Sequence, residues 1–206
     1  MSAEDLQHSK FSRKIGLTGG IASGKSSVSQ MLKQAGFPVL DFDQVAREVR
    51  QEPEIENQIQ SEFGTTQKEE LRRIIFSSES NRKKIMDLVS PRLLEKGQEL
   101  HEHLLSISQL PVIWDAALLV EYDLHQMMDL TLVVSCPEDV RMKRLIDRDK
   151  TPSALAIKII QSQASEKTMI ERLKNHPHHW IKNDSDLNNL KNQVQIALEK
   201  IRSIYE

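Results

Sequence analysis

The chain has 206 residues, of which 38% are hydrophobic and 28% charged, so it can form a sizeable core and is too apolar for a disordered protein. Its formal net charge of −2 gives no general attraction to nucleic acid or anionic lipid, so any bound anion needs a local site. The single cysteine excludes an internal disulfide. No apolar run reaches membrane-spanning length and residues 1–14 lack the apolar centre of a signal peptide, so we expect a cytoplasmic protein.

Strand and helix patterns alternate in the first 50 residues. Residues 14–18 predict a short strand that ends in a glycine turn, and residues 38–42 predict a second strand. Between them, apolar residues such as Val28 and Leu32 recur at helical spacing, and Gly36 supplies a helix stop. The strand–helix–strand order predicts a parallel α/β sheet.

The rest of the chain resumes this pattern after a helical interruption. Residues 53–110 have apolar positions at helical spacing and no convincing strand, which predicts a helical insertion. Further strands are predicted at residues 112–114 and 130–134, with a short fifth strand at residues 180–181. Residues 187–204 form a regular amphipathic pattern, which predicts a closing helix packed on the sheet.

The glycine-rich segment GGIASGKS at residues 19–26 matches the P-loop pattern and lies between a predicted strand and a predicted helix, as that motif requires. Glycines let the backbone curl so that successive N–H groups point at one anion, at the positive end of the helix that follows. Lys25 can reach the outer phosphates of a nucleotide, and the Ser26 hydroxyl can join the ligands of Mg²⁺. The segment therefore predicts a site for the phosphates of a nucleotide and Mg²⁺.

A P-loop indicates a nucleotide but not a reaction, and three interpretations compete: a small-molecule kinase, a GTPase switch and a non-catalytic nucleotide-binding scaffold. A GTPase would carry a guanine-reading Asn-Lys-x-Asp after a late strand, whereas residues 181–184 here read Ile-Lys-Asn-Asp. A kinase needs a group that orients and deprotonates the acceptor hydroxyl, together with cations that offset the charge of the transferring phosphoryl group.

Three aspartates follow predicted strands. Asp41 and Asp43 come at the end of the second strand, where ligands of α/β proteins bind, and we expect this strand to lie beside the first. A helix N-cap is an equally good interpretation of Asp41 and a weaker one of Asp43. Asp115 ends a strongly apolar strand, and a buried carboxylate there needs a partner such as Mg²⁺ or its water, the alternative being a helix cap.

Arginines at near-helical spacing follow the fourth strand. We interpret Arg141 as part of a solvated basic face. Arg144 and Arg148 are open to the same interpretation, or to one as the start of a P-loop kinase lid, whose arginines close onto the phosphates and exclude water. The resemblance described below favours the lid. Residues 151–173 are a polar helical stretch that continues this lid.

A few isolated residues have less specific interpretations. Glu121 is equally consistent with a contact to the substrate site and with an ordinary surface acid. The histidines at 176, 178 and 179 lack regular zinc spacing, so we expect an exposed loop. Cys136 follows a buried strand and is expected to be inert core.

With these residues identified, the sequence resembles the dephospho-coenzyme A kinase family over nearly its whole length. The loop is similar to that family's P-loop, and residues 39–47, VLDFDQVAR, look like its Asp-x-Asp-x-x-Ala-Arg segment. Further residues that look like family landmarks are Phe63-Gly64, Leu71 with Phe76, Asp115 with Leu118-Leu119-Val120-Glu121, Arg144 with Arg148-Asp149, Gln163 and Asn183.

The resemblance implies roles for individual residues. In that family the second aspartate of the Asp-x-Asp segment is taken as the base that faces the ribose 3′-hydroxyl, which implies Asp43. With Asp43, the expected catalytic residues are Lys25, Arg144 and Arg148, and the expected metal ligands are Ser26 and Asp115. The residues expected to bind the nucleotide are Gly19, Gly20, Ala22, Ser23, Gly24, Lys25, Ser26, Ser27 and Asn183.

Several positions depart from the family pattern, mostly on the acceptor side. Lys68 stands where arginine is usual, which keeps the charge and loses the planar bidentate fork. The other departures are Ala22 for glycine, Ser27 for threonine, Ser90-Pro91 for His-Pro, Ala117 for proline, and Pro177-His178 in place of an Ala-Asp pair. Alanine and serine are small enough to preserve a close approach of phosphate to the loop.

The sequence as a whole predicts a P-loop NTPase-type α/β fold, a parallel five-stranded sheet flanked by helices. We expect one kinase domain with its core at residues 14–45, 110–147 and 178–206, a helical acceptor-binding insertion at about 46–109 and a lid at about 148–173. The expected reaction is transfer of the ATP γ-phosphoryl group to dephospho-coenzyme A. The alternatives are a kinase of another small acceptor (a nucleoside monophosphate or a sugar acid) and a silent nucleotide-binding scaffold. We expect a monomer or weak homo-oligomer, with no nucleic-acid or membrane partner.

Overall fold

The structure is a computed structural model that describes residues 12–150, 152–161 and 163–205, excluding the side chains at positions 72, 76, 148 and 149. The chain divides into two compact units: one contains the chain up to Val39 together with Ser108 onward, and the other is Leu40–Ile107. The strands are β1 (Lys14–Gly19), β2 (Val39–Asp41), β3 (Val112–Asp115), β4 (Leu130–Ser135) and β5 (His178–Lys182). The α-helices are α1 (Lys25–Gln34), α2 (Phe42–Val49), α3 (Pro53–Phe63), α4 (Lys68–Ser77), α5 (Glu79–Ile107), α6 (Glu138–Asp149), α7 (Ser153–Gln161), α8 (Glu166–Leu173) and α9 (Leu187–Tyr205).

The five strands form one sheet in the order β2-β3-β1-β4-β5, which confirms the predicted α/β class. The strand β1 pairs in parallel with both β3 and β4, with Leu17 opposite Asp115 and Gly19 opposite Val134. The prediction that the second strand lies beside the first is wrong, because β3 pairs with β1 and β2 takes the place outside β3. The carboxyl ends of β1, β3 and β4 consequently meet at one edge of the sheet.

The three central strands are buried because helices cover the sheet. Every residue of β1 and β3 is buried, and Leu17, Trp114 and Leu132 have no exposed surface. Parallel sheets covered on both faces have such continuous apolar strands, as the sequence shows. On one face, residues of α1 and α9 form a single core cluster with the strands, including Val28, Leu32, Leu190, Val194, Ala197 and Ile201.

The second unit, Leu40–Ile107, consists mainly of the helices α2 to α5. Its buried apolar residues include Ile55 and Ile59 of α3 and Ile85 and Val89 of α5, at the helical spacing seen in the sequence. Ion pairs also link α5 to the chain around α2, such as Arg92 Nε to Glu52 Oε2 at 2.8 Å.

The stretch predicted as one polar helical region after residue 150 is two separate helices, α7 and α8. Within the described residues, no helix combines the length and apolarity needed to cross a membrane.

The histidines near β5 do not form an exposed loop, so that prediction is wrong. His176 is half-buried, its Nε2 lies 3.0 Å from the Thr131 hydroxyl, and its ring meets the ring of the buried His125 edge to face. His178 and His179 belong to β5 itself. Burial lowers the pKa of His176 to about 4, and the neighbouring His125 lowers it further in the same direction.

This pair predicts acid sensitivity. Because the folded-state pKa of His176 lies near 4 and its ordinary value is 6.5, the unfolded chain binds the proton more tightly, and stability falls as the pH decreases between these values. In the unaltered protein, protonation of His176 should lower the free energy of unfolding by roughly 1–2 kcal/mol between pH 7 and pH 4.5, a range that allows for partial exposure. This decrease should be absent in His176→Gln. Urea unfolding at the two pH values measures it, with the exposed His103→Gln as control. An unchanged pH dependence in His176→Gln would contradict this assignment.

Candidate active site

The loop between β1 and α1 has the conformation that a phosphate-binding loop requires. Gly24 precedes α1 in the left-handed region with φ 97°, and Ala22 also has a positive φ of 58°. The turn is closed by the Ser23 N–H, which donates to the Gly20 carbonyl at 3.0 Å. The positive end of the α1 dipole faces the loop, because the loop leads directly into the N-terminus of this helix, and no side chain at the N-cap Gly24 occupies that end.

Side chains from other elements lie close to two glycines of the loop, and Gly24 is in addition required by its positive φ. A Cβ on Gly20 would lie 2.2 Å from Arg141 Nη1, and a Cβ on Gly24 would lie 2.1 Å from Asn183 Nδ2. Any larger residue at either position would have to push aside a side chain that rests on the loop. The P-loop glycines therefore also make room for side chains from other elements.

Side chains far away in the sequence hold the loop in place. Gln163 Oε1 accepts a hydrogen bond from the Ile21 N–H at 2.7 Å. Arg144 Nη1 donates to the carbonyls of Ala22 and Ser23 at 3.1 and 3.3 Å, and Asn183 Nδ2 donates to the Ser23 carbonyl at 2.7 Å. The sequence singled out Arg144 and Asn183 for the nucleotide, and the structure brings both to the loop. It did not predict the contact of Gln163, for which the only signal was the family resemblance.

Lys25 forms an ion pair with Asp115 at the adjacent strand ends. Lys25 opens α1, Asp115 ends β3, and the pairing of β3 with β1 brings the lysine Nζ to Asp115 Oδ1. Asp115 is buried, so its negative charge needs this partner. The partner expected from the sequence was Mg²⁺ or its water, and in the structure it is the P-loop lysine.

The residues at the start of α1 fit a magnesium–nucleotide ligand. The side chains of Ser26 and Ser27 are exposed in the first turn, and the Asp115 carboxylate stands beside Lys25. Hydroxyl and carboxylate oxygens are the ligands that Mg²⁺ prefers, with the remaining positions filled by phosphate and water. The Ser23 hydroxyl is buried without a hydrogen-bond partner among the described residues, which leaves a polar atom in the loop for a ligand to satisfy. The described residues contain no cluster of three His, Cys, Asp or Glu side chains suited to a metal ion.

Two residues near the loop differ from their sequence interpretations. Arg141 is not on a solvated face: its side chain is half-buried against Gly20, and its Nε is buried. Cys136 is half-buried rather than core, and Arg144 Nη1 lies 3.3 Å from its Sγ. Burial nevertheless raises the pKa of the Cys136 thiol, in keeping with an unreactive group. Arg148 lies in α6, and its side chain is outside the described residues.

Glu121 is a partly buried acid rather than a surface one. Its Oε1 accepts a hydrogen bond from the Ala164 N–H at 3.3 Å, and burial raises the pKa of the carboxyl group. Ala164 follows Gln163, which binds the loop, so Glu121 anchors the segment between α7 and α8 next to the residue that contacts Ile21. Arg172 of α8 secures the same region by donating to the carbonyls of Val120 and Glu121, each at 3.1 Å.

The two aspartates after β2 have different positions. Asp41 is the N-cap of α2, with its Oδ1 accepting a hydrogen bond from the Gln44 N–H at 2.8 Å. Asp43 lies one residue inside α2, in the first turn, and is half-buried. The capping role that the sequence left open for Asp41 is therefore the one it has, and Asp43 is not needed for that purpose.

The sequence profile of the dephospho-CoA kinase family matches residues 13–189, most of the chain. The chain belongs to this family. A dephospho-CoA kinase of Fusobacterium nucleatum is 34% identical over 195 residues, covering 91% of this chain and 97% of the relative. A dephospho-CoA kinase of Clostridium perfringens is also 34% identical, covering 90% and 96%.

Solved structures support the same fold for this dephospho-CoA kinase family member. The protein TT1252 of Thermus thermophilus superposes with a TM-score of 0.73 at 27% identity, covering 91% of this chain and 97% of that one. A dephospho-CoA kinase of Campylobacter jejuni superposes with a TM-score of 0.64 at 21% identity, covering 92% and 96%. At this identity the second likeness shows the fold alone.

Ala22 gives a test of the loop conformation, because the dephospho-CoA kinase family usually has glycine there. A side chain in the left-handed region costs about 1 kcal/mol, so we expect Ala22→Gly to raise the free energy of unfolding by up to about 1 kcal/mol. The same exchange at Ala197, inside α9, should instead lower it by about 1 kcal/mol or more. Urea unfolding of both variants measures the difference. Equal losses at the two positions would contradict a strained Ala22.

Proposed function

We propose that this chain transfers the γ-phosphoryl group of ATP to the ribose 3′-hydroxyl of dephospho-coenzyme A, giving coenzyme A and ADP. The observation that carries the proposal is the glycine loop at the start of α1, with Lys25 beside Asp115, in a chain of the dephospho-CoA kinase family. Loop, lysine and carboxylate are what phosphoryl transfer needs for positioning and for charge compensation.

The loop residues bind and position the nucleotide. Backbone N–H groups between Gly20 and Lys25 and the positive end of α1 attract the phosphates, and Ser27 lies in the same first turn. Lys25 lies at the end of this loop and can replace its contact with Asp115 by a contact with the outer phosphates of ATP. Ser26 and Asp115 would hold Mg²⁺, directly or through water, and the ion would supply positive charge that neutralises the phosphate oxygens.

The remaining residues act on the acceptor and on the transferred group. Asp43 orients the 3′-hydroxyl and accepts its proton while the bond between this oxygen and the γ-phosphorus forms and the bond to the β-phosphate oxygen breaks. Arg144 donates to two loop carbonyls and so holds the loop conformation, and its positive charge stabilises the transferring phosphoryl group. Arg148 supplies a second positive charge to the same phosphoryl group. Asn183 fixes the end of the loop through the Ser23 carbonyl.

The direct test is incubation with ATP, Mg²⁺ and dephospho-coenzyme A, followed by measurement of ADP release and identification of the phosphorylated position. We expect phosphate on the ribose 3′-oxygen. A panel of nucleoside monophosphates and sugar acids, offered under the same conditions, distinguishes the acceptor. Turnover only with one of these would replace the proposed substrate, and ATP binding without ADP release for any acceptor would indicate a silent scaffold.

Asp41 and Asp43 provide a matched pair of variants for the proposed base. Asp43→Asn should lower the turnover rate by about a hundredfold or more, because it removes the proton acceptor, while ATP affinity stays within about twofold. Asp41→Asn should leave turnover nearly unchanged, since asparagine is an equally good N-cap. Steady-state kinetics and calorimetric titration with ATP measure both properties. Full turnover in Asp43→Asn would eliminate Asp43 as the base.

Lys25→Met tests the phosphate side of the site. It should abolish transfer and weaken ATP binding, because the charge that reaches the outer phosphates is lost. It also leaves Asp115 buried without its cation, so a lower melting temperature is expected. Thermal unfolding recorded beside the kinetics separates the two effects. A variant that binds ATP as tightly as the unaltered protein would contradict the role of Lys25.

A further inference from the structure

Arg141 has a position at the P-loop that the proposed mechanism does not use. It lies in the first half of α6, and its guanidinium packs on Gly20, close enough that a Cβ on this glycine would be 2.2 Å from Nη1. Its Nε is buried and has no hydrogen-bond partner in the part of the chain that the structure describes. A buried N–H donor without an acceptor is costly, so the free structure keeps this group in an unfavourable setting.

The neighbouring arginine has a different set of contacts. Arg144 Nη1 donates to the carbonyls of Ala22 and Ser23 and contacts Cys136 Sγ, so its contacts go to the protein itself. Arg141 has no such contacts among the described residues, although it is only one helical turn away on the same face of α6. Its donors are therefore available to a ligand on the loop.

The charges around Gly20 also favour an anion. Lys25 is neutralised by Asp115, whereas the described contacts include no ion pair for Arg141. Glu166 lines the same cavity as Arg141 and Gly20, and it is exposed and forms no ion pair with the arginine within the described residues. The half-buried Arg141 guanidinium therefore lies on a phosphate-binding type of loop without a paired carboxylate. A phosphate chain bound to the loop would supply the missing negative charge.

We propose that Arg141 is a further phosphate-binding residue of the P-loop, donating from its guanidinium to the phosphate chain of the bound nucleotide. The planar group offers several N–H donors in a fixed geometry, which suits two phosphate oxygens at once. The proposal rests on the proposed function for the identity of the ligand as a nucleoside polyphosphate. It does not depend on which acceptor receives the phosphoryl group.

The test is calorimetric titration of the full chain with ATP and with ADP, in the absence of any acceptor. Arg141→Gln should raise the dissociation constant for ATP about tenfold or more, because it removes charge-assisted hydrogen bonds, and Arg141→Lys should restore part of the affinity. Lys143→Gln, an exposed cation on the same helix, is the matched control and should leave the constant within about twofold. Thermal unfolding checks that each variant is folded. If Arg141→Gln does not fold, Arg141→Lys is the deciding variant, and it should bind ATP more weakly than the unaltered protein does.

Two results would overturn the proposal. One is an ATP dissociation constant in Arg141→Gln within twofold of the unaltered protein. The other is an equal loss of affinity in the Lys and Gln variants, which would show that Arg141 acts by packing on Gly20 rather than through its charge. Because binding is measured without acceptor, a protein that binds ATP and fails to phosphorylate dephospho-coenzyme A would contradict the proposed function and still leave the Arg141 result readable.

Discussion

The parallel pairing of β1 with β3 and β4 is the constraint on which the candidate site depends. It brings three carboxyl ends to one sheet edge, so that the loop after β1 meets Asp115 from β3 and the residues that follow β4. The ion pair between Lys25 and Asp115 is a direct result of this pairing, because the two residues are far apart in the chain. Burial of Asp115 makes the pair energetically necessary as long as no other cation replaces the lysine.

The loop itself is shaped by contacts from outside its own segment. Glycines permit its backbone conformation, but Gln163, Arg144 and Asn183 hold the carbonyl and amide groups that set its curvature. These three side chains come from three different parts of the chain after β4. Glu121 supports the first of them through the Ala164 N–H. The loop is thus held by the segment between α7 and α8, which is the region that the sequence interpretation assigned to a lid.

The local features of the sequence predicted the fold well. The strand segments around β1, β3, β4 and β5, the helical character of residues 53–107 and the closing helix α9 all follow from apolar spacing and punctuation by glycine and proline. The order of the strands did not follow, because apolar spacing shows which residues are buried and not which strand lies beside which. That is why β2 was expected beside β1 and is found outside β3.

The same distinction holds for individual residues. The choice between Asp41 and Asp43 as a helix cap needed the observed start of α2, and the burial of Arg141 needed the approach of α6 to Gly20. His176 was misjudged because it packs against Thr131 and His125, neither of which is near it in sequence, and His178 and His179 were misjudged because they belong to β5.

By itself the sequence determined the family and a glycine-rich loop whose lysine and serine predict binding of phosphate and metal. Only the tertiary structure decided which side chains surround that loop and which charges there are balanced. Motif chemistry depends on neighbours within a few residues, whereas charge balance and burial depend on contacts between distant segments, 90 residues apart for Lys25 with Asp115 and 122 for Arg144 with Ala22.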